Sequence, residues 1–436
     1  MDASPADAMP RKARIKAIYK IWVEYVALAT VASIPLSTSA TSILVALWAG
    51  MALAMLSWTN YRDELIRPRS MFFVLLALLG IAGLLWSEAT WPDRLNGVGS
   101  FARFLLLPLF AAYFGASGLA RKALYTFLIS CSVILLISLG AFWFPAITFW
   151  RPGYPVVPFK DATTQSLECA LCALGLLIWL GELRPFEINL KTTAAALLAA
   201  LFLGDIVYVA TSRTELVAIL VTLPLLAIRR WKWRGFIGGI GCVIAVSVAA
   251  WCSSSNIQER IRHAFWEYQR YETLDQGTSV GARLEFWQRS ILIMSQAPFL
   301  GHGTGSIEHM FEVTASSGPK WIGSSHEVGT HVARSMVTPN PHNQTFAVGI
   351  QLGLIGVAFL YAMWLAQVLN FFGSEPVNTL GLMFVVQFVI GSIFYSYIFD
   401  FTEAWMFIIG SAVLYGMQGV SPSASDSFSS ANSRLS

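Results

Sequence analysis

The sequence predicts an all-α integral membrane protein with about 12 transmembrane helices and one long helical loop on the outer side. Three observations carry this. Of 436 residues, 56% are hydrophobic and 12% charged, and the mean hydropathy is +0.60. A soluble domain carries about 25% charged residues. The apolar residues fall in segments of roughly 20, the length that spans a bilayer. The basic residues collect in alternate loops, as the positive-inside rule requires of a polytopic chain. A net charge of +4 says little about partners beyond the membrane lipids, and no nucleic acid is expected.

In chain order, residues 1–18 read as a cytoplasmic tail. Its Arg11, Lys12, Arg14 and Lys16, with Lys20 beyond them, run into the first span like a signal anchor. Residues 19–252 hold spans near 19–36, 41–58, 71–87, 98–116, 121–145, 162–182, 190–210, 212–229 and 234–252. Only Thr211, Ser212 and Arg213 separate the seventh from the eighth. With the N-terminus inside, the inner loops hold Arg62, Arg67 and Arg69, then Arg121 and Lys122, then Arg184 and Lys191, then Arg229, Arg230, Lys232 and Arg234. The outer loops are poorer in basic residues, so both termini are expected in the cytoplasm. Residues 253–341 form the long outer loop. Ser255, Asn256 and Glu259 suggest a helix start, and Ile257, Ile261, Phe265 and Tyr268 recur at helical spacing. A second loop helix is expected from Ser279 towards Pro298, followed by a turn at Gly301 to Gly305. Residues 313–340 look irregular. Residues 342–418 hold spans near 342–371, 377–397 and 401–418, and the Ser-rich tail 419–436 is expected to be disordered. Of the five cysteines, Cys131, Cys169, Cys172 and Cys242 sit in apolar segments, so the C-x-x-C reads as packing and not as a disulfide framework.

The stretch NPHNQTFAVGIQLGLIG, 340–356, is the strongest candidate for chemistry. Asn340 suits a helix N-cap and Pro341 the first helical position. His342 then falls in the first turn, and His342, Thr345, Gly349, Gly353 and Gly356 share one face along which a second backbone can approach. The helix dipole favours a neutral imidazole there. A capping histidine with no chemistry fits the same pattern. Arg213 opens the eighth span, where an arginine can simply snorkel or pair with Asp205 or Glu215. Arg283, with Trp287 one turn on, lies in the loop helix. Topology puts Arg213, Arg283 and His342 on the same side. Two guanidiniums in one site call for an anion, and a diphosphate suits their bidentate geometry. Arg151 and Lys160 bracket the loop WRPGYPVVPFKD and suggest a second anionic contact or simple headgroup contact. His302, His326, His331 and His342 match no zinc spacing, and a carboxylate cluster for magnesium is missing from the pattern, so no metal and no cofactor is expected. Asp400 and Glu403 either orient His342 or cap a helix. The G-x-G-x-G at Gly301 follows no βαβ strand, which excludes a nucleotide fingerprint.

Together, Ser212–Arg213, the R-x-x-x-W of Arg283 and Trp287 followed by PFLGHGTG, and His342–Asn343 before a glycine-rich helix resemble the O-antigen ligase group of the ligase, polymerase and oligosaccharyltransferase superfamily. The resemblance covers most of the chain in layout. It implies a GT-C-like fold, a periplasm-facing site in the bacterial inner membrane, and inverting, metal-independent transfer of a glycan. The implied donor is an undecaprenyl-diphosphate-linked glycan and the implied acceptor is lipid A–core oligosaccharide. His342 is then the general base. Arg213 and Arg283 hold the diphosphate, and Trp287, Asn343, Arg151 and Lys160 contribute to substrate binding. An O-antigen polymerase or a protein O-oligosaccharyltransferase shares these motifs. A transporter is the rival from another class, but it calls for ionisable residues at the bilayer midplane and for internal repeats, and the sequence shows neither.

Overall fold

The computed structural model describes residues 11–144, 156–183, 188–253, 279–317 and 337–418, with the helical residues 258–259, 261–262 and 265–266. The helices are α1 Arg11–Ser33, α2 Thr38–Met55, α3 Trp58–Leu65, α4 Pro68–Ala82, α5 Trp91–Ala102, α6 Leu107–Ser117, α7 Ala120–Trp143, α8 Ala162–Glu182, α9 Leu190–Gly204 and α10 Arg213–Ser253. They continue with α11 Ser279–Gln296, α12 Ile307–Ser317, α13 Gln344–Asn370, α14 Pro376–Phe394 and α15 Phe401–Gln418. No strand occurs among the described residues.

Nine of the described helical stretches are long and apolar enough to cross a membrane, against the twelve expected. The difference has physical causes. The expected span 98–116 is not among the missing ones: it is matched by α5 and α6, joined through the 3₁₀ turn Arg103–Leu106. The expected spans 212–229 and 234–252 are the two arms of α10, which folds back at Lys232, where φ is 55°, so that Gly239 packs on Pro224; as one continuous stretch they contribute one to the nine. α1 carries basic residues, and α15 opens with Thr402 and Glu403 and ends on Gln418. α15 nonetheless lies inside the bundle, with most of its residues buried. The narrow break between the seventh and eighth spans is real. α9 runs on through a π-turn, Asp205–Val209, and α10 begins at Arg213. Of the expected helix over 257–268, the described residues 258–259, 261–262 and 265–266 are helical, and residues 11–18 of the expected N-terminal tail belong to α1; Arg151, His326, His331 and residues 1–10 and 419–436 lie outside the described residues.

Helix starts follow the sequence's capping chemistry. Asp161 accepts from the Thr163 and Thr164 N–H groups at the head of α8. Asn189 and Thr192 form a capping box on α9. The largest core joins α1, α2, α4 to α7 and α13 to α15, and holds the Trp48–Phe110 stack at 4.0 Å. A second core around Cys131, Cys169 and Cys172 joins α7 to α10. These cysteines are free thiols, as packing residues should be.

The decisive local feature is a break in α13. An uninterrupted helix would bond Leu354 N–H to the Ile350 carbonyl and Ile355 N–H to that of Gln351. Instead Gly353 sits at φ 61°, and the turn after α11 inserts. The His302 and Gly303 N–H groups donate to the Ile350 and Gln351 carbonyls at 2.9 Å each. The Leu354 and Ile355 N–H groups donate to the Pro298 and Phe299 carbonyls at 2.7 and 3.3 Å. The expected smooth glycine face is therefore corrected at Gly353, which is a hinge point in the ladder. Backbone approach is close enough that a Cβ on Gly301 would lie 2.5 Å from the Gln351 carbonyl carbon. The same turn is tied to α4: Thr304 N–H donates to the Gly83 carbonyl at 3.1 Å and Ser87 Oγ to the Thr304 carbonyl at 2.8 Å.

Gly301→Ala should therefore lower the melting temperature of the purified protein markedly, because a positive φ (66° here) and a backbone clash combine at a cost of about 1–3 kcal/mol or more. Gly99→Ala, where nothing lies within 4 Å of the added carbon, should leave it level or raise it slightly. Equal melting temperatures for the two variants would contradict this account of the turn.

Candidate active site

Of the residues singled out by sequence, Arg283, Trp287, His342, Asn343 and Asp400 gather where α13 begins. The N-cap of α13 is Asn343, not Asn340: its Oδ1 accepts from Phe346 N–H at 3.2 Å, and its Nδ2 donates to the Ile393 carbonyl at 2.9 Å. Both polar atoms of Asn343 are thus used in holding the helix end. His342 precedes the helix, with φ 52°. The expected place in the first turn is corrected, and the reason lies in Asn340. Its Oδ1 accepts the His342 N–H at 2.9 Å, an Asx-turn that tips His342 into the left-handed region. Asn340 is itself held. Ser396 Oγ donates to its Oδ1 at 2.7 Å, and its Nδ2 donates to Asp400 Oδ1 at 3.3 Å. A histidine at positive φ is stored strain of about 1–3 kcal/mol, the kind found at functional sites.

The half-buried imidazole lies between Phe286, 6.2 Å away and near-parallel, and Tyr395, 5.7 Å away and edge-on at 87°. Its Nδ1 is buried without a hydrogen-bond partner, and a buried polar atom in that state calls for an explanation. Burial first, then the Arg283 guanidinium, holds the His342 ring below the usual histidine range. Neutrality was expected from the helix dipole and the nearby arginines; here burial comes first and Arg283 second. Asp400 is moved the other way. Burial, then Glu403 and Asp161, push its carboxyl up to about 8 against the pull of Arg103. Asp400 reaches His342 only through Asn340 and the backbone. Glu403 accepts from Thr164 instead.

Arg283 stands in the first turns of α11, as expected, with its guanidinium carbon 4.8 Å from the centre of the Tyr395 ring. Trp287 packs on Phe346 at 6.2 Å, which seats α11 on the first turn of α13. Further along, Gly349 faces Met294 and Ala347 and Ile350 face Ile293. Arg213 is the first residue of α10. The acids beside it are turned to other elements: Gln165 Nε2 donates to Asp205 Oδ2 at 3.0 Å, and Tyr397 OH donates to Glu215 Oε1 at 2.5 Å. Tyr397 stacks on Tyr395 at 5.7 Å. The tyrosine pair therefore runs from the α10 end that carries Arg213 to the Arg283–His342 contact. Lys160 is buried beside the head of α8, where its charge acts on Glu168 and Glu403.

The sequence pattern missed a carboxylate cluster. Asp161, Glu168, Glu215, Asp400 and Glu403 come from three helices and two turns and act on one another electrostatically. Among the described residues no three His, Cys, Asp or Glu side chains stand so as to hold a metal ion. His302, one of the expected histidine group, is spent elsewhere: its ring nitrogens lie 3.0 Å from the Ile293 carbonyl and 3.4 Å from Glu88.

Residues 198–361 match the O-antigen ligase family model. No curated protein matches the chain. The O-antigen ligase match runs from α9 into α13. It contains Arg213, Arg283, Trp287, the glycine turn and His342, and it supports the O-antigen ligase and polymerase superfamily for this chain. Tyr395, Tyr397, Asp400 and Glu403 lie beyond the matched segment. Asp400 and Glu403 were expected to orient His342 or to cap a helix; Tyr395 and Tyr397 became visible only when α14 and α15 folded against α13. In sequence, the YSY of 395–397 is indistinguishable from an interfacial aromatic belt.

If the guanidinium at 283 acts as a bidentate anion holder, Arg283→Lys should lower glycan transfer by about 10²-fold while the protein still inserts and melts normally. The check is transfer by purified variant at saturating acceptor. Transfer at the wild-type rate would remove Arg283 from the anion site.

Proposed function

We propose that the protein is an inverting glycosyltransferase of the bacterial inner membrane, with its site facing the periplasm and both termini in the cytoplasm. It transfers O-antigen polysaccharide from undecaprenyl diphosphate to lipid A–core oligosaccharide. The observation that carries this reading is the His342 ring. It is kept neutral by burial and Arg283, held at a strained backbone position, and left with an unpartnered buried Nδ1.

In the proposed reaction an acceptor sugar hydroxyl attacks the anomeric carbon on the face opposite the diphosphate. His342 takes the hydroxyl proton as the new C–O bond forms, a contribution of about 10²–10⁴ in rate. The bond from the anomeric carbon to the diphosphate oxygen breaks, and undecaprenyl diphosphate leaves with the bonding pair. Arg213 and Arg283 hold that diphosphate and stabilise the charge that grows on it. The leaving group is already activated, so no step is routed through a metal. The fold-level comparison to GT-C enzymes belongs to this proposal. It has support in the all-helical, membrane-crossing architecture.

Deletion in the native bacterium tests the assignment. The expected cell accumulates polymer on its lipid carrier and carries lipopolysaccharide with no O-antigen, and the wild-type gene restores it. Cores bearing a single repeat unit would assign the protein to polymerisation instead, and unchanged lipopolysaccharide would overturn the proposal.

A further inference from the structure

The site's two best-placed groups do not touch each other through a hydrogen bond or an ion pair. What they share is one aromatic ring. Tyr395 caps the end of α14. Arg283 lies over it at 4.8 Å, and His342 meets it edge-on at 5.7 Å. The ring is fixed from behind as well. Tyr397 stacks on it at 5.7 Å and 20°, and is itself anchored by its 2.5 Å hydrogen bond to Glu215 of α10. Thr163 Oγ1, in the first turn of α8, donates to the Tyr395 OH at 3.2 Å. One side chain is thus braced by α8 and α10 and presents its ring to a guanidinium on α11 and an imidazole at the head of α13.

We propose that Tyr395 is the positioning residue of this site: its braced ring sets where the Arg283 guanidinium stands relative to the His342 imidazole. The proposal deepens the reading of His342 as base and rests on it for its catalytic consequence, though not for the positioning itself. The physical argument is one of freedom and charge. An arginine side chain is long and rotamer-rich. A cation over an aromatic face is held by the ring's quadrupole, and more firmly where water is excluded. Take away the ring and the guanidinium can swing to solvent, water can enter beside the imidazole, and both influences that keep His342 neutral weaken together. The charged and titratable groups facing the imidazole are Arg283 from α11, Tyr395 from α14, and Asp400 acting through Asn340. Of these, Tyr395 is the one that meets both the imidazole and the guanidinium.

The test uses the full chain in lipid nanodiscs with ring-labelled histidine, following the His342 resonance through a pH titration. The signal is assigned by its loss in His342→Gln. Tyr395→Leu should move the His342 titration upward by roughly half a pH unit or more, about a threefold change in proton affinity. Tyr395→Phe keeps the ring face and should restore the wild-type titration. In transfer assays Tyr395→Leu should lower kcat by about tenfold with little change in KM, as misplacement of a reacting group does. If the Leu variant fails to accumulate, Tyr395→Met gives the same readout. A cycle with Arg283→Gln adds a check: once the guanidinium is gone, removing the ring should shift His342 by less than it does in the wild-type background, since only the burial contribution is left to lose. A His342 titration unchanged in Tyr395→Leu or Tyr395→Met overturns the proposal, whatever transfer does. So does full additivity in the cycle. If the titration moves as expected while His342→Gln transfers at the wild-type rate, Tyr395 positions the ring and the base reading fails instead.

Discussion

The site depends on an exchange of backbone hydrogen bonds. At Gly353 helix α13 gives up two rungs of its own ladder, and the turn at 298–303 supplies replacements in both directions, two carbonyls and two N–H groups. In a membrane-embedded helix, unpaired backbone groups cost several kcal/mol each. The break and the turn must therefore form together or not at all. α11 is joined directly to this turn. Anchoring its C-terminal end in the middle of α13 lays α11 back along the N-terminal half of that helix, with Ile293, Ile350 and Ala347 in one buried cluster and with Trp287 on Phe346. Arg283 and Phe286 then arrive over His342 as a consequence of the docking. The motif PFLGHGTG is thus structural, yet it determines the geometry of the chemistry.

A second constraint works from the other side. The short segment from Tyr395 to Asp400 between α14 and α15 supplies a ring to Arg283 and His342, a hydroxyl to Asn340 from Ser396, and a carboxyl to the same Asn340 from Asp400. Gln344, the first residue of α13, accepts the Ile398 N–H at 3.0 Å. The strained backbone of His342 is held by these contacts on one flank and by α11 on the other. At the opposite end of the bundle, Arg69 grips Glu64 through two bonds of 2.8 Å and lies over Tyr415. There the polar groups are paired. At the site end Nδ1 of His342, Nε2 of Gln344 and Oε2 of Glu215 are buried without partners.

How much of this was legible in sequence follows from which interactions are local. The apolar segments, the loop helix from Ser279, and the grouping of Arg283 with His342 all rest on periodicity, charge and order along the chain. The start of α13 was misread because Asn340 and Asn343 are both good caps with a proline between them. Only the Asx-turn to His342 N–H and the contacts from Ser396 and Asp400 decide between them. The break at Gly353 was hidden among glycines at packing spacing, because a helix opened by an inserted turn has the same composition as a helix that packs closely. The tyrosine pair and the carboxylate cluster join residues from distant helices, and no local pattern announces them. The burial of Lys160 depends on tertiary packing that the loop WRPGYPVVPFKD does not announce.

The central claim is that the His342 imidazole receives the acceptor's proton. It is tested most directly by single-turnover transfer with saturating donor in the wild-type protein, His342→Ala and His342→Gln. Glutamine keeps a hydrogen-bonding group but is no useful base. The account predicts that both variants still bind the lipid-linked donor, through the arginines, and that both lose transfer by about 10²-fold or more. A glutamine variant that transfers near the wild-type rate would show that the ring only orients the acceptor, and would contradict the account.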